Sequence, residues 1–469
     1  MEQFLRFENG GYMENKVVVI GGGASGLAAA IAAAENGAVV TIIEHKDRVG
    51  KKILMTGNGK CNLTNMKAVH NKYYSSDAIS LKQIYNTLVR FDAIQTRDFF
   101  QRLGLYTKEK KDGGVYPVSE QASIVLDVLR SACDRLGVTI RTNCDVISIK
   151  LRKKGGMVCV TQHEHITQEP LKKKKLSAKN SEHLYRGKEE QIFYDKLILA
   201  TGGKAASVSG SDGSGYLLAK HLGHSIIEPL PALVQLKCKE PFFKALSGVR
   251  AQGKIRLLID GVETAVEEGE LQLTDYGISG IPVFQISRLA SRALYDGKYC
   301  EASLDFISYI WGEDKKNNYL EALKRNAMKH FGDKTVEEFL SGLVHKKIIG
   351  VVCKQKGIAS GMTVNEAGTE RLWNCIKMLA DFRVQIIAPN SFENAQVCCG
   401  GVPLMEVDKN FASRKSQGVY IVGELLDCDG ICGGYNLQWA WATGIIAGTD
   451  AAQRDSIMIE NRIKENETY

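Results

Sequence analysis

The 12 cysteines contain no C-x-x-C pair, no segment repeats at a period of twenty to fifty residues, and only one complete G-x-G-x-x-G is followed by a well-spaced acid. Scattered cysteines exclude a disulfide framework or a zinc ribbon, so no metal site is expected and the compartment reads as reducing cytoplasm. Without a repeat, a solenoid or propeller is excluded. With one dinucleotide fingerprint there is no dedicated NAD(P)H domain. Composition carries no collagenous, coiled-coil or disordered bias, and no secretory signal pattern precedes Met13.

The 469 residues are enough for two domains, or for one domain with an insertion. Much of the formal charge of +8 comes from Lys172, Lys173, Lys174 and Lys175, with Lys179, Arg186 and Lys188 nearby. The four consecutive lysines hold no aromatic residue for base stacking and only Tyr185 stands among the later basic residues, so the run reads as a solvated loop and no nucleic-acid partner is expected. Residues 17–34 are uncharged and almost long enough to span a bilayer, but their glycine cluster and the flanking Lys16 and Glu35 describe strand, turn and helix instead. No membrane span is expected, and nothing in the sequence sets the oligomeric state.

After a leader at 1–15, residues 16–20 form a continuous apolar run, the pattern of a parallel strand buried on both faces. Gly21–Gly23 supplies a turn, 24–36 an alanine-rich helix closed by Gly37, and 38–43 a second buried strand ending at Glu44. Residues 80–136 read as helical around a short loop at 113–117. A small antiparallel meander follows from 138–150, 156–163 and 191–200, with the lysine loop as its tip. From Pro229 the texture is alternating and β-rich to about Glu270, then a loop, then amphipathic helices over 317–356. Buried-strand texture returns at 418–422, before a glycine-rich turn and a helix over 436–447. The expected division is a dinucleotide-binding domain at 16–228, an insertion at 229–355, the rest of the first domain at 356–455, and a tail at 456–469.

Gly21-x-Gly23-x-x-Gly26 sits between strand and helix, and Glu44 ends the next strand at about the twenty-residue distance of the fingerprint. The first glycine makes the turn, the second admits a pyrophosphate to the backbone N–H groups, and the third lets helix pack on strand. Glu44 would accept from ribose hydroxyls, and the helix N-terminus would stabilise the diphosphate. NAD and FAD remain open at this point. Two later elements favour FAD: the strand ending in Ala200-Thr201-Gly202-Gly203, and a C-terminal strand running into Gly423-Glu424 and on to Gly433-Gly434-Tyr435-Asn436-Leu437. An extended FAD needs a second site far along the chain, where amides at the start of the Asn436 helix can face the flavin ring. Gly213-Ser214-Gly215 follows no buried strand and reads as the cap of a short helix through Asp212.

Residues 20–26, the stretch 50–65 that includes Thr56-Gly57-Asn58-Gly59-Lys60-Cys61-Asn62, residues 211–216, and 423–444 resemble the BaiN-like flavoproteins, a family that includes double-bond reductases of bile acids or steroids and aminoacetone oxidases. The resemblance runs from Lys16 to Asp450. It implies a two-dinucleotide-binding-domain type of FAD fold, α/β with a parallel sheet and a β-meander, and an inserted β-rich and helical domain covering the flavin. It also implies that Gly21, Gly23, Ala24, Ser25, Gly26, Glu44, His45 and Lys52 surround the ADP half, with Val146 meeting adenine through its backbone and Thr201 and Gly202 close by. Asn58, Gly59, Cys61 and Asn62 would follow pyrophosphate and flavin, and Gly423, Glu424, Gly434, Tyr435, Asn436 and Leu437 would hold ribityl and ring. The chain departs from the family pattern at Gly114, Asp275 and Cys398-Cys399, where relatives carry arginine, histidine and smaller or hydroxyl residues.

The implied reaction is hydride transfer to a carbon–carbon double bond conjugated to a carbonyl, with NAD(P)H as a transient electron donor. Tyr435, Tyr276 and Cys61 are the candidates for proton donor or carbonyl clamp. Two alternatives belong to other classes: an amine or aminoketone oxidase using oxygen, and an FAD-dependent RNA-modifying or RNA-binding protein suggested by the basic charge.

Overall fold

A computed structural model describes residues 14–77, 80–162, 188–311 and 313–453. Most of the leader, the tail 456–469, and Lys172 to Lys175 with Lys179 and Arg186 lie outside the described residues. The chain divides into two compact units, the first comprising residues up to Pro229 and from Gly400 on, the second Leu230–Cys399.

The first unit is built on a five-stranded sheet in the order Val419–Ile421, Lys196–Leu199, Lys16–Ile20, Val39–Ile43, Thr139–Arg141. Every pairing is parallel. The apolar runs are continuous because both faces are covered, and Val17 through Ile20 are all buried. Lys16–Ile20 is the central strand, so the glycine turn that follows it opens at the carboxyl edge between neighbouring strands, where α/β sheets bind ligands.

Helix Ala24–Glu35 packs on the long C-terminal helix Tyr435–Ala452 almost backbone to backbone. A Cβ on Gly444 would stand 2.4 Å from the Ser25 carbonyl oxygen, and one on Gly448 2.2 Å from that of Ala29. Small residues on both faces are therefore a packing requirement. Strands Cys144–Leu151, Gly156–Gln162 and Lys188–Tyr194 form the antiparallel meander. The stretch 80–136 is not helical throughout. Helices Ser80–Arg90, Ala93–Arg102 and Ala122–Arg135 are interrupted by strands Thr107–Glu109 and Gly114–Pro117, which with Thr64–Asn65 make a small sheet beside the glycine loop of residues 56–61.

In the second unit six strands close into a barrel: Leu236–Cys238, Gly277–Ser279, Val262–Leu273, Val249–Ile259, Cys300–Asp305 and Phe382–Pro389. Two expectations are corrected here. The segment read as a loop after Glu270 contains the helix Ile281–Tyr295, whose Val283, Ile286 and Ala290 enter the barrel core. The insertion ends at Cys399 and not at 355, because Phe382–Pro389 pairs with both Cys300–Asp305 and Leu236–Cys238 and so completes the barrel. The helices Glu313–His330, Val336–Leu340, Lys346–Gln355 and Val364–Ala380 intervene. Two of them start in capping boxes, Thr335 with Glu338 and Thr363 with Glu366. Among the described residues no helix is long and apolar enough to cross a membrane.

Candidate functional site

The three glycine turns meet within the first unit. A Cβ on Gly21 would fall 2.4 Å from the Ala200 carbonyl oxygen, and one on Gly423 2.5 Å from Ser25 Oγ. The turns after the first strand, after Lys196–Leu199 and after Val419–Ile421 are thus mutually packed, as one extended ligand would require. Gly23 is the N-cap of helix Ala24–Glu35, has no side-chain cap bond, and faces open space where its Cβ would be. The first N–H groups of that helix are available to an anion, and no acidic residue stands in its first turn.

Glu44 is buried, and its carboxylate accepts from the Gly22 N–H at 2.9 Å and the Lys46 N–H at 2.9 Å, which fixes it beside the turn. Next to it His45 Nε2 is buried with no hydrogen-bond partner among the described residues. Val146 lies at a register shift in the meander, where Val146 pairs with Val160 and Ser148 with Cys159. The displaced backbone there is freed from the ladder. Thr201 occupies the space that Gly215 leaves, and Gly202 turns against Ser211. Asp212 accepts from the Ser214 N–H at the start of helix Ser214–His221.

Lys52 Nζ lies 2.6 Å from Glu424 Oε2, so these two predicted contacts are an ion pair. Beyond them Gly57, Asn58, Gly59 and Cys61 all carry positive φ, between 53° and 79°. Four left-handed residues in five turn the backbone into a tight concave loop, a conformation with a real cost at Asn58 and Cys61. Gly434 is the N-cap of the C-terminal helix, again with no side-chain cap bond, and its Cβ would press on the Thr64 carbonyl at 2.7 Å and Asn62 Oδ1 at 2.9 Å. That Asn62 oxygen is buried without a partner among the described residues. Two uncapped helix ends and two orphaned polar atoms in one unit fit a long dinucleotide.

The Asn436 side-chain amide donates to the Gly430 carbonyl at 2.9 Å and accepts from the Gly430 N–H at 2.8 Å, so the side chain clamps the preceding loop and leaves its backbone N–H at the helix start. Leu437 packs partly buried on the core. Several supporting residues escaped the sequence reading. Thr443 Oγ1 accepts from the Gly423 N–H at 3.0 Å, and Trp439 Nε1 donates to the Gly423 carbonyl at 3.2 Å. Thr64 and Thr96 hydroxyls donate to Gln438 Oε1 at 2.5 and 2.7 Å. Polar residues at helical spacing on the inner face of a predicted helix were the available signal.

Of the catalytic candidates, Cys61 is fully buried, and burial pushes its thiol up to about 12 against a hydrogen bond with Thr56. It stays a neutral thiol at physiological pH. Burial, then the charge of Asp112, raises the Tyr435 phenol, whose hydroxyl donates to the Lys67 carbonyl at 3.3 Å. Tyr116, unselected from sequence, is raised by burial and then by Asp112 and Cys432, so these groups and Tyr435 share one neighbourhood. Tyr276 belongs to the second unit, where its hydroxyl accepts from Asn390 Nδ2 at 3.3 Å.

Away from these turns, His224 is sealed between Glu406 at 2.8 Å from Nδ1 and Ser413 Oγ at 2.7 Å from Nε2. Burial lowers its pKa below 6.5 despite the opposing pull of Glu406, while Lys415 adds to the lowering. The unfolded chain then takes up a proton that the folded one refuses, so this site's contribution to stability is present above pH 6.5 and lost as pH falls through the folded value. Chemical denaturation from pH 7.5 down to 5 is expected to show a stability loss that His224→Gln flattens; identical slopes for both proteins would refute it.

A model of the HI0933-like protein Rossmann domain matches residues 15–450. The chain is 40% identical over 443 residues to the 3-dehydro-bile acid delta(4,6)-reductase of Clostridium scindens, covering 94% of this chain and 100% of that protein. It is 25% identical over 434 residues to the ribosomal RNA dihydrouridine synthase of Escherichia coli, covering 92% and 97%. Among solved structures, a 3-ketosteroid-delta4-(5alpha)-dehydrogenase from Rhodococcus jostii is 14% identical, covers 95% of this chain and 99% of that one, and aligns with a TM-score of 0.47.

Proposed function

This chain belongs to the HI0933-like Rossmann family, and on that premise we propose that it is an FAD-dependent oxidoreductase that reduces a carbon–carbon double bond conjugated to a carbonyl in a bile-acid-like substrate. The observation that carries the reading is the 40% identity along the full length of a bile-acid reductase. The paired uncapped helix ends and the orphaned His45 Nε2 and Asn62 Oδ1 support the cofactor.

Bound FAD supplies hydride chemistry at its N5 position. The rest falls to the chain's own residues. The helix start at Gly23 to Gly26 would hold the diphosphate, with Lys52 beside it, and Glu44 would accept from ribose hydroxyls. The N–H groups after Gly434 would hold the ring at the end where negative charge gathers on reduction. Gln438, Thr443, Trp439 and the Asn436 clamp keep that helix start and the Gly423 turn in place. Tyr435, protonated because its pKa is raised, holds a proton for the substrate's carbonyl oxygen or α-carbon. Cys61, buried at the end of the strained loop, fills space there as a neutral thiol.

The test is an anaerobic spectrum of the purified protein near ~450 nm, the chromophore being the cofactor's own. NADH or NADPH is expected to bleach it, and a bile-acid enone to restore it. Failure of the enone to reoxidise a bleached protein would refute the substrate class. Peroxide formed from an aminoketone would establish the oxidase instead. A second reading has one specific support, the rRNA dihydrouridine synthase relative, because the uracil double bond reduced to make dihydrouridine is also conjugated to a carbonyl. Reoxidation by ribosomal RNA but not by a bile-acid enone would select it.

A further inference from the structure

Three ammonium groups converge on one carboxylate at the edge of the first unit. Lys60 Nζ lies 2.7 Å from Glu120 Oε2, while Lys108 Nζ is 2.9 Å and Lys110 Nζ 4.0 Å from Oε1. Glu120 reaches this place from a φ of 52°, stored strain for a residue that is not glycine. Its side chain is 29% exposed and those of the lysines 39–47%, so water and ligands can reach them. Lys60 and then Lys108 hold the Glu120 carboxyl down to about 2, so it is a full anion at any physiological pH. Three positive charges against one negative leave a local surplus of two. Asp112 forms no ion pair with these lysines among the described residues; its Oδ1 accepts from the Gly114 N–H at 3.1 Å.

The cluster adjoins the candidate site. Lys110 Nζ stands 4.0 Å over the ring of Tyr116. That ring in turn borders the strained loop and Asn62: a Cβ on Gly57 would meet Tyr116 Cε1 at 3.5 Å, and one on Gly114 would meet Tyr116 Cε2 at 3.1 Å and Asn62 Nδ2 at 3.2 Å. A cationic rim, an aromatic wall and an unpartnered amide oxygen therefore follow one another along a short path. A clip that only holds the loop needs one lysine per carboxylate; the further cations leave donors that a second anion can use.

We propose that Lys60, Lys108 and Lys110 form an anion-receiving rim that takes the carboxylate of a small hydrophobic substrate in exchange for the carboxylate of Glu120. The rim rests on the proposed reduction of an enone beside Asn62 and Tyr435. Glu120 keeps the three cations together when no substrate is present and gives them up to a competing carboxylate. Exposed pairs of this kind contribute modestly each, so the effect belongs in KM and weakens with salt.

The test compares a bile-acid enone bearing a free side-chain carboxylate with its methyl ester, on the holoenzyme at low ionic strength. Lys108→Gln with Lys110→Gln is expected to raise KM for the acid about tenfold, with kcat held and the ester's KM within about twofold. Glu120→Gln has the opposite sign: KM for the acid falls severalfold, because the competitor is gone. A clip with no ligand predicts that Glu120→Gln loosens the loop and raises KM for acid and ester alike, and that result would overturn the rim. Should neither compound be reduced, the proposed reaction fails separately. Equilibrium binding of the same pair to the oxidised holoenzyme, followed by flavin fluorescence, then decides the rim alone. Tighter binding of the acid that vanishes in the double lysine variant carries it, and equal binding of acid and ester overturns it.

Discussion

Gly23→Asp is expected to give a soluble, folded and colourless protein, whereas Gly26→Val is expected to give a strongly destabilised one. Both lie in one fingerprint, but their surroundings differ. A Cβ at Gly23 meets nothing within 4 Å, and Gly23 is the N-cap of helix Ala24–Glu35. Aspartate is a better N-cap than glycine, so the apo helix gains about a few tenths of a kcal/mol. The same carboxylate then occupies the N–H groups that the diphosphate needs and sets a like charge against it, a repulsion of about 1–4 kcal/mol at contact distance. Together these predict a roughly 100- to 1,000-fold loss of FAD affinity with an undiminished melting temperature of the apoprotein. At Gly26 a Cβ would lie 1.9 Å from the Gly21 carbonyl oxygen. Valine there forces helix and strand apart at a cost of at least about 3 kcal/mol, set against a total stability on the order of 5–15 kcal/mol. Flavin content after purification and thermal melts of the two variants are the readouts. A yellow Gly23→Asp protein would remove the diphosphate from that helix end.

Tyr435→Phe is expected to lower kcat about 100-fold while leaving FAD content and the rate of bleaching by NAD(P)H unchanged. Proton transfer by a placed side chain contributes on that scale. The phenol is held above its ordinary value of 10.0 by burial and then by Asp112, so it carries its proton throughout the physiological range. Wild-type turnover should therefore decline only at alkaline pH above about 10, and Tyr435→Phe should lack that limb. Losing the hydroxyl removes one long bond to the Lys67 carbonyl, 3.3 Å, so the fold should tolerate the change. A kcat within about twofold of wild type would mean that water protonates the product and that Tyr435 serves through its backbone, whose carbonyl accepts from the Tyr73 hydroxyl at 2.9 Å.

The parts of this fold that were legible in the sequence are those where chemistry forces residue type. Buried parallel strands must be apolar throughout, which marked Lys16–Ile20, Lys196–Leu199 and Val419–Ile421. A position that packs on another backbone must be glycine, which marked Gly21 and Gly26, and a left-handed turn against the Ser25 side chain marked Gly423. The insertion was less legible because its last strand, Phe382–Pro389, alternates but follows a run of helices, so nothing local reveals that it closes a barrel with residues about 150 positions earlier. Helix Ile281–Tyr295 was hidden by Gly280 and Pro282, which read as loop residues yet serve as N-cap and first turn. Gln438 stood out only as a polar residue on an inner helix face, and Thr64 and Thr96 not at all, because a buried amide network depends on partners hundreds of residues apart. The Lys52–Glu424 pair was visible as two separate residues but not as one interaction, for the same reason.

The close seat of helix Ala24–Glu35 on Tyr435–Ala452 also sets an order of events during synthesis. All six barrel strands have been made once the chain has grown just past Pro389, so the second unit can finish folding while the first still lacks its edge strand Val419–Ile421 and its final helix. Domains generally fold as units when their last element emerges. Until Gly444 and Gly448 arrive, the alanine face of the first helix, and the cofactor end of that helix with it, has no partner to bury against. A nascent chain stopped after residue 400 should therefore resist protease across the barrel yet remain cleavable throughout its first 200 residues, and the acquisition of flavin should be among the last acts of biosynthesis.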